Sequence, residues 1–439
     1  MRQLTAFEHG WLEVGPTGHL TAAEADALAA SEQHLPGGCL QWGHRRVKFA
    51  QFCGVVRVEG LQIEILPKLH PHQAEAQQRS TMVNMLACVG DLDGMETIAA
   101  NLATNRTTLL DLFIRHFAQL LERQLQQGMM RDYRDIEETL GQVRGRIDVL
   151  LQQRENLFKP QRIACRFSEL IADIPVNRLL HSTIQLVCSL ATSPILKQRL
   201  RSLRTRFAGV QPLAPHERGP RSSDLNRMQR RYAGIVDLAH LFLDGQFLDP
   251  RSGQHRAFSL LFDMNRLFER YTASLLRPIA RRQGLRLVEQ GPRRYLGHDE
   301  TGRGRLLMRP DIALLDPDGR PIIIVDTKWK RLEGNDPMAG LSPADLYQMA
   351  SYANAYRCAS VCLLYPAQST LPAGQSHRLQ LNLANIARLT LQSVGFEQDF
   401  SFLCPLQDLI EPSRRDPGRF ADSTADPTPI RVPAARAAR

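Results

Sequence analysis

With 439 residues, 43% of them hydrophobic and 6% aromatic, the chain is long enough for two or three domains with ordinary cores, which excludes an intrinsically disordered chain. Lys and Arg outnumber Asp and Glu by 55 to 45, a formal charge of +10 that favours polyanionic partners, nucleic acid before an anionic membrane surface; solubility alone is the plainer alternative. No run approaches the roughly 20 apolar residues of a membrane span, and MRQLTAFEHGWLEV lacks a charged, apolar and small-residue signal, so a cytoplasmic chain without a membrane partner is expected.

Residues 1–75 read as a β-rich domain with one helix, opened by the capping box Thr21-Ala22-Ala23-Glu24. Val55–Val58 and Leu61–Leu66 alternate around Glu59-Gly60, a hairpin pattern that Pro67 ends. Residues 76–255 read as mainly helical. Leu110, Phe113, Phe117, Leu120, Leu121 and Leu125 recur at helical spacing, with Gly128 as the stop. Val143–Val149 looks extended, and Pro175 opens a further helix at a favoured first position. The Arg-rich stretch 197–231 suits either a phosphate-tracking groove or a solvated helix face, and the lack of interleaved aromatics favours the face.

From residue 256 to 410 the order changes to helix, strand, strand, helix, strand, an α/β core. Asp263 can cap a helix whose stripe is Met264, Leu267, Phe268, Tyr271 and Leu275, with Pro278 ending or kinking it. Residues 291–305 are turn-rich. Ser342-Pro343-Ala344-Asp345 supplies an N-cap, a proline at the first helical position and an acid at the third. Ser360–Tyr365 reads as a buried strand. Residues 411–439 are rich in Pro, Ala and charge without an apolar period, and disorder is expected there. The eight cysteines, Cys39, Cys53, Cys88, Cys165, Cys188, Cys358, Cys362 and Cys404, are scattered among apolar neighbours, which suits buried thiols better than disulfides or zinc.

The chemistry concentrates between Arg309 and Arg331. Pro310-Asp311 leads into an extended run, Asp316-Pro317-Asp318-Gly319 makes a turn, and Ile322–Val325 forms an apolar strand that ends on Asp326-Thr327-Lys328. Side chains two apart on a strand share a face, so Asp326 and Lys328 project together, and a closed hairpin brings Asp311 to the same space. Asp311, Asp326 and the Thr327 carbonyl suit a hard divalent ion, and Lys328 suits a water or a phosphate. Glu269 on the helix before could act through a metal-bound water. Gln348 and Tyr352, four apart on the helix after, could orient Lys328 or touch a DNA backbone. A surface ion pair is the ordinary explanation of an isolated Asp-x-Lys, Asp316 and Asp318 are turn residues, and a lone Glu269 or Tyr352 would be solvated or packed. Co-occurrence raises the site above these readings, because an acid and a lysine closing a fully apolar strand need a reason to be there.

This order resembles the PD-(D/E)xK nuclease superfamily, with Asp311, Asp326 and Lys328 on its signature positions. Within it the chain is similar to the McrC family, the nuclease subunits of McrBC-type modification-dependent restriction systems. The resemblance rests on MNRLFERY (264–271), RPDIALLD (309–316), IIIVDTKWK (322–330), DLYQMASYA (345–353) and LLYP (363–366), with weaker support from residues 54–69, 143–149 and 173–187. It implies a multidomain α+β protein with an N-terminal β-rich domain, a central helical region and a C-terminal α/β nuclease core. It also implies Mg²⁺ or Mn²⁺ as cofactor, double-stranded DNA with modified cytosine as substrate, and a McrB-like AAA+ GTPase as partner, which the subunit stimulates and on which residues 1–250 dock, with Arg45, Arg46 and Arg146 as candidate contacts. The chain has no Walker or dinucleotide motif, so it is expected to bind no nucleotide itself. A non-cleaving adaptor that activates the GTPase, and a standalone nuclease of repair or of a mobile element, are the alternatives.

Overall fold

The structure is a computed structural model that describes residues 1–68, 74–89, 108–156, 158–159, 161–214, 216–248, 256–332, 340–368, 370–382 and 387–396. The expected disorder of residues 411–439 falls outside them, as does Cys404. The other seven cysteines are free thiols. The described residues form two compact units, Met1–Ser274 with Phe396, and Leu275–Gly395.

The first unit opens with β1 (Arg2–Phe7), β2 (Trp11–Glu13), α1 (Ala22–Ala30), β3 (Leu40–Gly43), β4 (Arg46–Phe49), β5 (Phe52–Val58) and β6 (Leu61–Leu66). Thr21 and Glu24 form the expected capping box, and β5 and β6 the expected hairpin, turning at Glu59 and Gly60 with positive φ. Strands β2, β4 and β3 make a small antiparallel sheet. The apolar faces of both layers enclose a core that includes Leu28, Val47, Phe49, Val56, Ile63 and Ile65.

Helices α2 (Glu75–Cys88) and α3 (Leu109–Gln126) follow, then β7 (Asp132–Leu140), β8 (Arg146–Ile147), α4 (Val149–Glu155) and β9 (Ile163–Ile171). The region read as helical therefore carries an antiparallel sheet, in the order β7, β9, β8. Its first strand, DYRDIEETL, is mostly exposed and so shows none of the apolar alternation that marks a half-buried strand. Then come α5 (Pro175–Leu190), α6 (Pro194–Thr205), α7 (Ala233–Asp244), β10 (Gln246–Leu248) and β11 (Arg256–Asp263). Within the Arg-rich stretch, α6 buries Leu196, Leu200 and Leu203, and Arg199 pairs with Glu122 of α3 at 2.6 Å, as an amphipathic surface helix does.

Strand β11 returns to the first sheet and pairs with β5, giving the order β1, β6, β5, β11, β10. The boundary expected between residues 255 and 256 is therefore displaced to Ser274, because this pairing joins strands about 200 residues apart and leaves no local signal. Gly54 permits the close approach: a Cβ there would stand 1.9 Å from the Leu260 carbonyl oxygen. Helix α8 (Met264–Arg282) begins in the first unit, capped by Asp263, and continues through Pro278 into the second.

The second unit adds β12 (Arg286–Glu289), β13 (Arg294–His298), β14 (Gly304–Met308), β15 (Ile312–Leu315), β16 (Pro321–Thr327), α9 (Pro343–Tyr356), β17 (Ser360–Pro366), β18 (Ser376–Leu381) and β19 (Ala387–Val394). Its mixed sheet has the order β12, β15, β16, β17, β19, β18, antiparallel through β16 and parallel from β16 to β19. Helix α9 lies in the crossover between the parallel strands β16 and β17, and packs Met349, Tyr352 and Ala353 into a core with Ile324, Leu363 and Leu389.

Two buried acids tie the first unit together. Glu64 of β6 accepts two 2.8 Å bonds from Arg79 of α2 and one of 2.9 Å from the Leu109 amide at the start of α3. Asp111 of α3 accepts from the Thr192 and Ser193 amides at 2.9 and 3.2 Å, which caps α6 from another helix. Glu64→Ala leaves the half-buried Arg79 with Glu75 as its remaining carboxylate and strips the buried Leu109 amide of its acceptor, and is expected to destabilise this unit by about 2 kcal/mol. A chemical-denaturation midpoint that does not fall would contradict this.

Candidate active site

The turn at Asp316–Arg320 sets the register of the hairpin. Arg320 N donates to Asp316 Oδ1 at 2.7 Å, and Gly319 takes a positive φ. Ile312 then faces Val325, and one step further Asp311 falls beside Asp326. Thr327 fixes that neighbour: its amide and its hydroxyl both donate to Asp311 Oδ2 at 2.8 Å.

Asp326 is 2% exposed at the end of an apolar strand. Burial, and then the charge of Asp311, push its carboxyl up to about 6, while Lys328 opposes the shift. Lys328 Nζ stands 2.6 Å from Asp326 Oδ2, although that buried oxygen receives no well-aligned hydrogen bond. Gln348 of α9 bridges the pair. Its Nε2 donates to Asp326 Oδ1 at 3.1 Å and to Tyr352 Oη at 3.0 Å, and its Oε1 accepts from Lys328 Nζ at 2.9 Å. Tyr352 Oη in turn donates to the Arg309 carbonyl at 3.4 Å, and burial raises its hydroxyl to about 12, so it remains a proton donor at neutral pH.

Five of the residues singled out in the sequence, Asp311, Asp326, Lys328, Gln348 and Tyr352, thus come together in the second unit, with Thr327 as the link. Glu269 is half-buried on α8 within the first unit. Arg45, Arg46 and Arg146 are exposed, and the Arg46 guanidinium lies 4.1 Å from the centre of the Trp11 ring. Asp345, taken from sequence as an ordinary helix-start acid, is buried and belongs to the cluster. It contacts Lys330 Nζ, accepts from Tyr365 Oη at 3.1 Å and lies 3.9 Å from Lys328 Nζ. The signal was available in the spacing, since Asp345, Gln348 and Tyr352 stand at i, i+3 and i+7 on one helix face.

Among the described residues no three His, Cys, Asp or Glu side chains gather as a metal-holding group. A cation would therefore rest on the two carboxylates and a main-chain carbonyl. Those donors fit a hard divalent ion: the charge of Asp311 opposes the ionisation of Asp326, and one buried Asp326 oxygen lacks an aligned partner. Among the described residues no helix is long and apolar enough to cross a membrane.

The raised pKa of Asp326 has a stability consequence. The folded state holds the Asp326 proton more tightly than the unfolded chain, so protonation stabilises fully below about pH 4 and that gain is lost as pH rises through about 6. The difference corresponds to about 3 kcal/mol at neutral pH. Asp326→Asn, which cannot ionise, is expected to raise Tm at pH 8, with the gain closing as pH approaches 4. A variant less stable at pH 8 than at pH 4, relative to wild type, would contradict the assignment.

A family model described as McrBC 5-methylcytosine restriction system component matches residues 47–366, from β4 through the end of β17. No curated protein matches the chain. Among solved structures, a chain of the refined half-complex from the tetradecameric assembly of Thermococcus gammatolerans McrB AAA+ hexamers with bound McrC is 17% identical with a TM-score of 0.74, over 93% of this chain and 99% of that one. A chain of the Thermococcus gammatolerans McrBC complex is 20% identical with a TM-score of 0.51, over 63% of this chain and 88% of that one. At these identities the likeness is one of fold, and the family match covers about three quarters of the sequence. The chain belongs to the family of McrBC 5-methylcytosine restriction system components.

Proposed function

We propose that this chain is the DNA-cutting subunit of a modification-dependent restriction system, a Mg²⁺-dependent endodeoxyribonuclease with a PD-(D/E)xK core that docks on a McrB-like AAA+ GTPase. The observation that carries the reading is the buried Asp326 at the end of β16, flanked by Asp311 and held with Lys328 by Gln348. The fold likeness to a chain of the Thermococcus gammatolerans assembly of McrB AAA+ hexamers with bound McrC supports the choice of partner. Recognition of the modified cytosine is assigned to that partner.

Asp311, Asp326 and the Thr327 carbonyl would hold Mg²⁺ or Mn²⁺, which supplies Lewis acidity toward a phosphoryl oxygen and toward water. Thr327 fixes the Asp311 carboxylate by two bonds donated to its Oδ2. Lys328, held by Gln348, sits where its ammonium can orient the attacking water or balance charge growing on the phosphate. Tyr352 keeps Gln348 in register as a positioning residue.

Asp326→Ala is expected to lower cleavage of methylated DNA by about a thousandfold or more, while assembly and stimulation of the partner's GTPase persist. Cleavage at the wild-type rate would remove Asp326 from the site. A wild-type complex that hydrolyses GTP with Mg²⁺ present and never nicks methylated DNA would favour the adaptor reading. The cleavage rate is also expected to fall as pH drops through about 6, where Asp326 takes up its proton. Raising Mg²⁺ should move that limb to lower pH, and a limb insensitive to Mg²⁺ would contradict it.

A further inference from the structure

The turn-rich stretch before the site folds as a two-stranded ribbon, β13 and β14, in register from Arg294↔Met308 to His298↔Gly304. It joins no other strand among the described residues. Most of its side chains are exposed, among them the apolar Tyr295, Leu296, Leu306 and Leu307, with Leu306 73% exposed. A lone hairpin with so much apolar surface in water is marginal on its own, so what holds it, and what it meets, both need an answer.

Helix α9 holds its base. Tyr356 Oη lies 2.6 Å from the Pro292 carbonyl and 3.2 Å from that of Met308 on the opposite strand. Arg294 donates to the Ala355 carbonyl at 2.8 Å and lies 5.1 Å from the centre of the Tyr356 ring. Tyr352, which supports Gln348, reaches the Arg309 carbonyl where the ribbon runs into Asp311. The ribbon is therefore fastened on both strands to the helix that carries part of the site.

Its charge names the occupant. Residues 293–309 hold five arginines against two acids. Asp299 is consumed at the tip, accepting from Thr301, Arg303 N and Arg305 Nε. Arg293 and Arg303 are exposed, and among the described residues no ion pair occupies them. Leu306 keeps a positive φ of 53°, a strained conformation for leucine, while remaining exposed. Cations flanking exposed apolar side chains along the ribbon suit a duplex, with arginines on phosphates and leucine against a groove.

We propose that this ribbon is an arm that grips double-stranded DNA beside the bond to be cut, an inference that rests on the nuclease reading for its location but not for its binding chemistry. The test uses the full chain carrying Asp326→Asn, titrated into a fluorescein-labelled DNA duplex at several salt concentrations and read by anisotropy. Adding Arg293→Ala and Arg303→Ala is expected to weaken binding on the order of tenfold and to lower the log–log salt slope by about 2. Leu306→Gly relieves the backbone strain and preserves the ribbon, and is expected to weaken binding with the slope unchanged. This second variant also decides the matter should the double variant fail to fold. In the assembly, both variants should still stimulate the partner's GTPase. Unchanged affinity and slope in both variants overturn the proposal, as does loss of GTPase stimulation with DNA binding intact, which would make the ribbon a protein contact. Failure of the nuclease reading registers separately, as cleavage that survives Asp326→Asn.

Discussion

The second unit depends on a carboxylate kept out of water. Asp326 closes an apolar strand at the centre of the mixed sheet, where burial and the neighbouring Asp311 both resist its charge. One lysine and one glutamine partly compensate it. A stability-driven sequence would place valine there. A hard cation held between the two acids would remove most of that cost.

The fold serves that arrangement. A four-residue turn fixes the hairpin register, so that Asp311 and Asp326 fall side by side instead of on opposite faces. The parallel pairing of β16 with β17 requires a crossover, and the crossover helix brings Gln348 and Tyr352 over the strand end. The same helix fastens the basic ribbon through Tyr356 and Arg294. Helix α9 thus connects the buried Asp326, the lysine and the ribbon through side chains on successive turns.

Much of the site was legible because its signals are local: Pro-Asp, a turn, an apolar run, Asp-x-Lys, and a Gln and Tyr one helical turn apart. Asp345 was misjudged since an acid at the third helical position already has an ordinary explanation, and only tertiary packing turns it toward Lys330 and Tyr365. The ribbon was hidden by its glycines and by exposure on both faces, which erase a strand's alternation. Strand β7 escaped for the same reason of exposure. The displaced unit boundary reflects the pairing of β11 with β5, a long-range contact that no window of neighbouring residues contains. The continuation of α8 through Pro278 likewise has no local cue.

The central claim is that Asp311 and Asp326 together hold a divalent cation. Titrating the full chain with Mn²⁺ and following the free-ion signal by electron paramagnetic resonance tests it without relying on cleavage. The account expects saturable binding at pH 7.5, weaker binding at pH 5 where Asp326 is protonated, and loss of binding in Asp326→Asn. Equal Mn²⁺ binding by wild type and Asp326→Asn at pH 7.5 would contradict it.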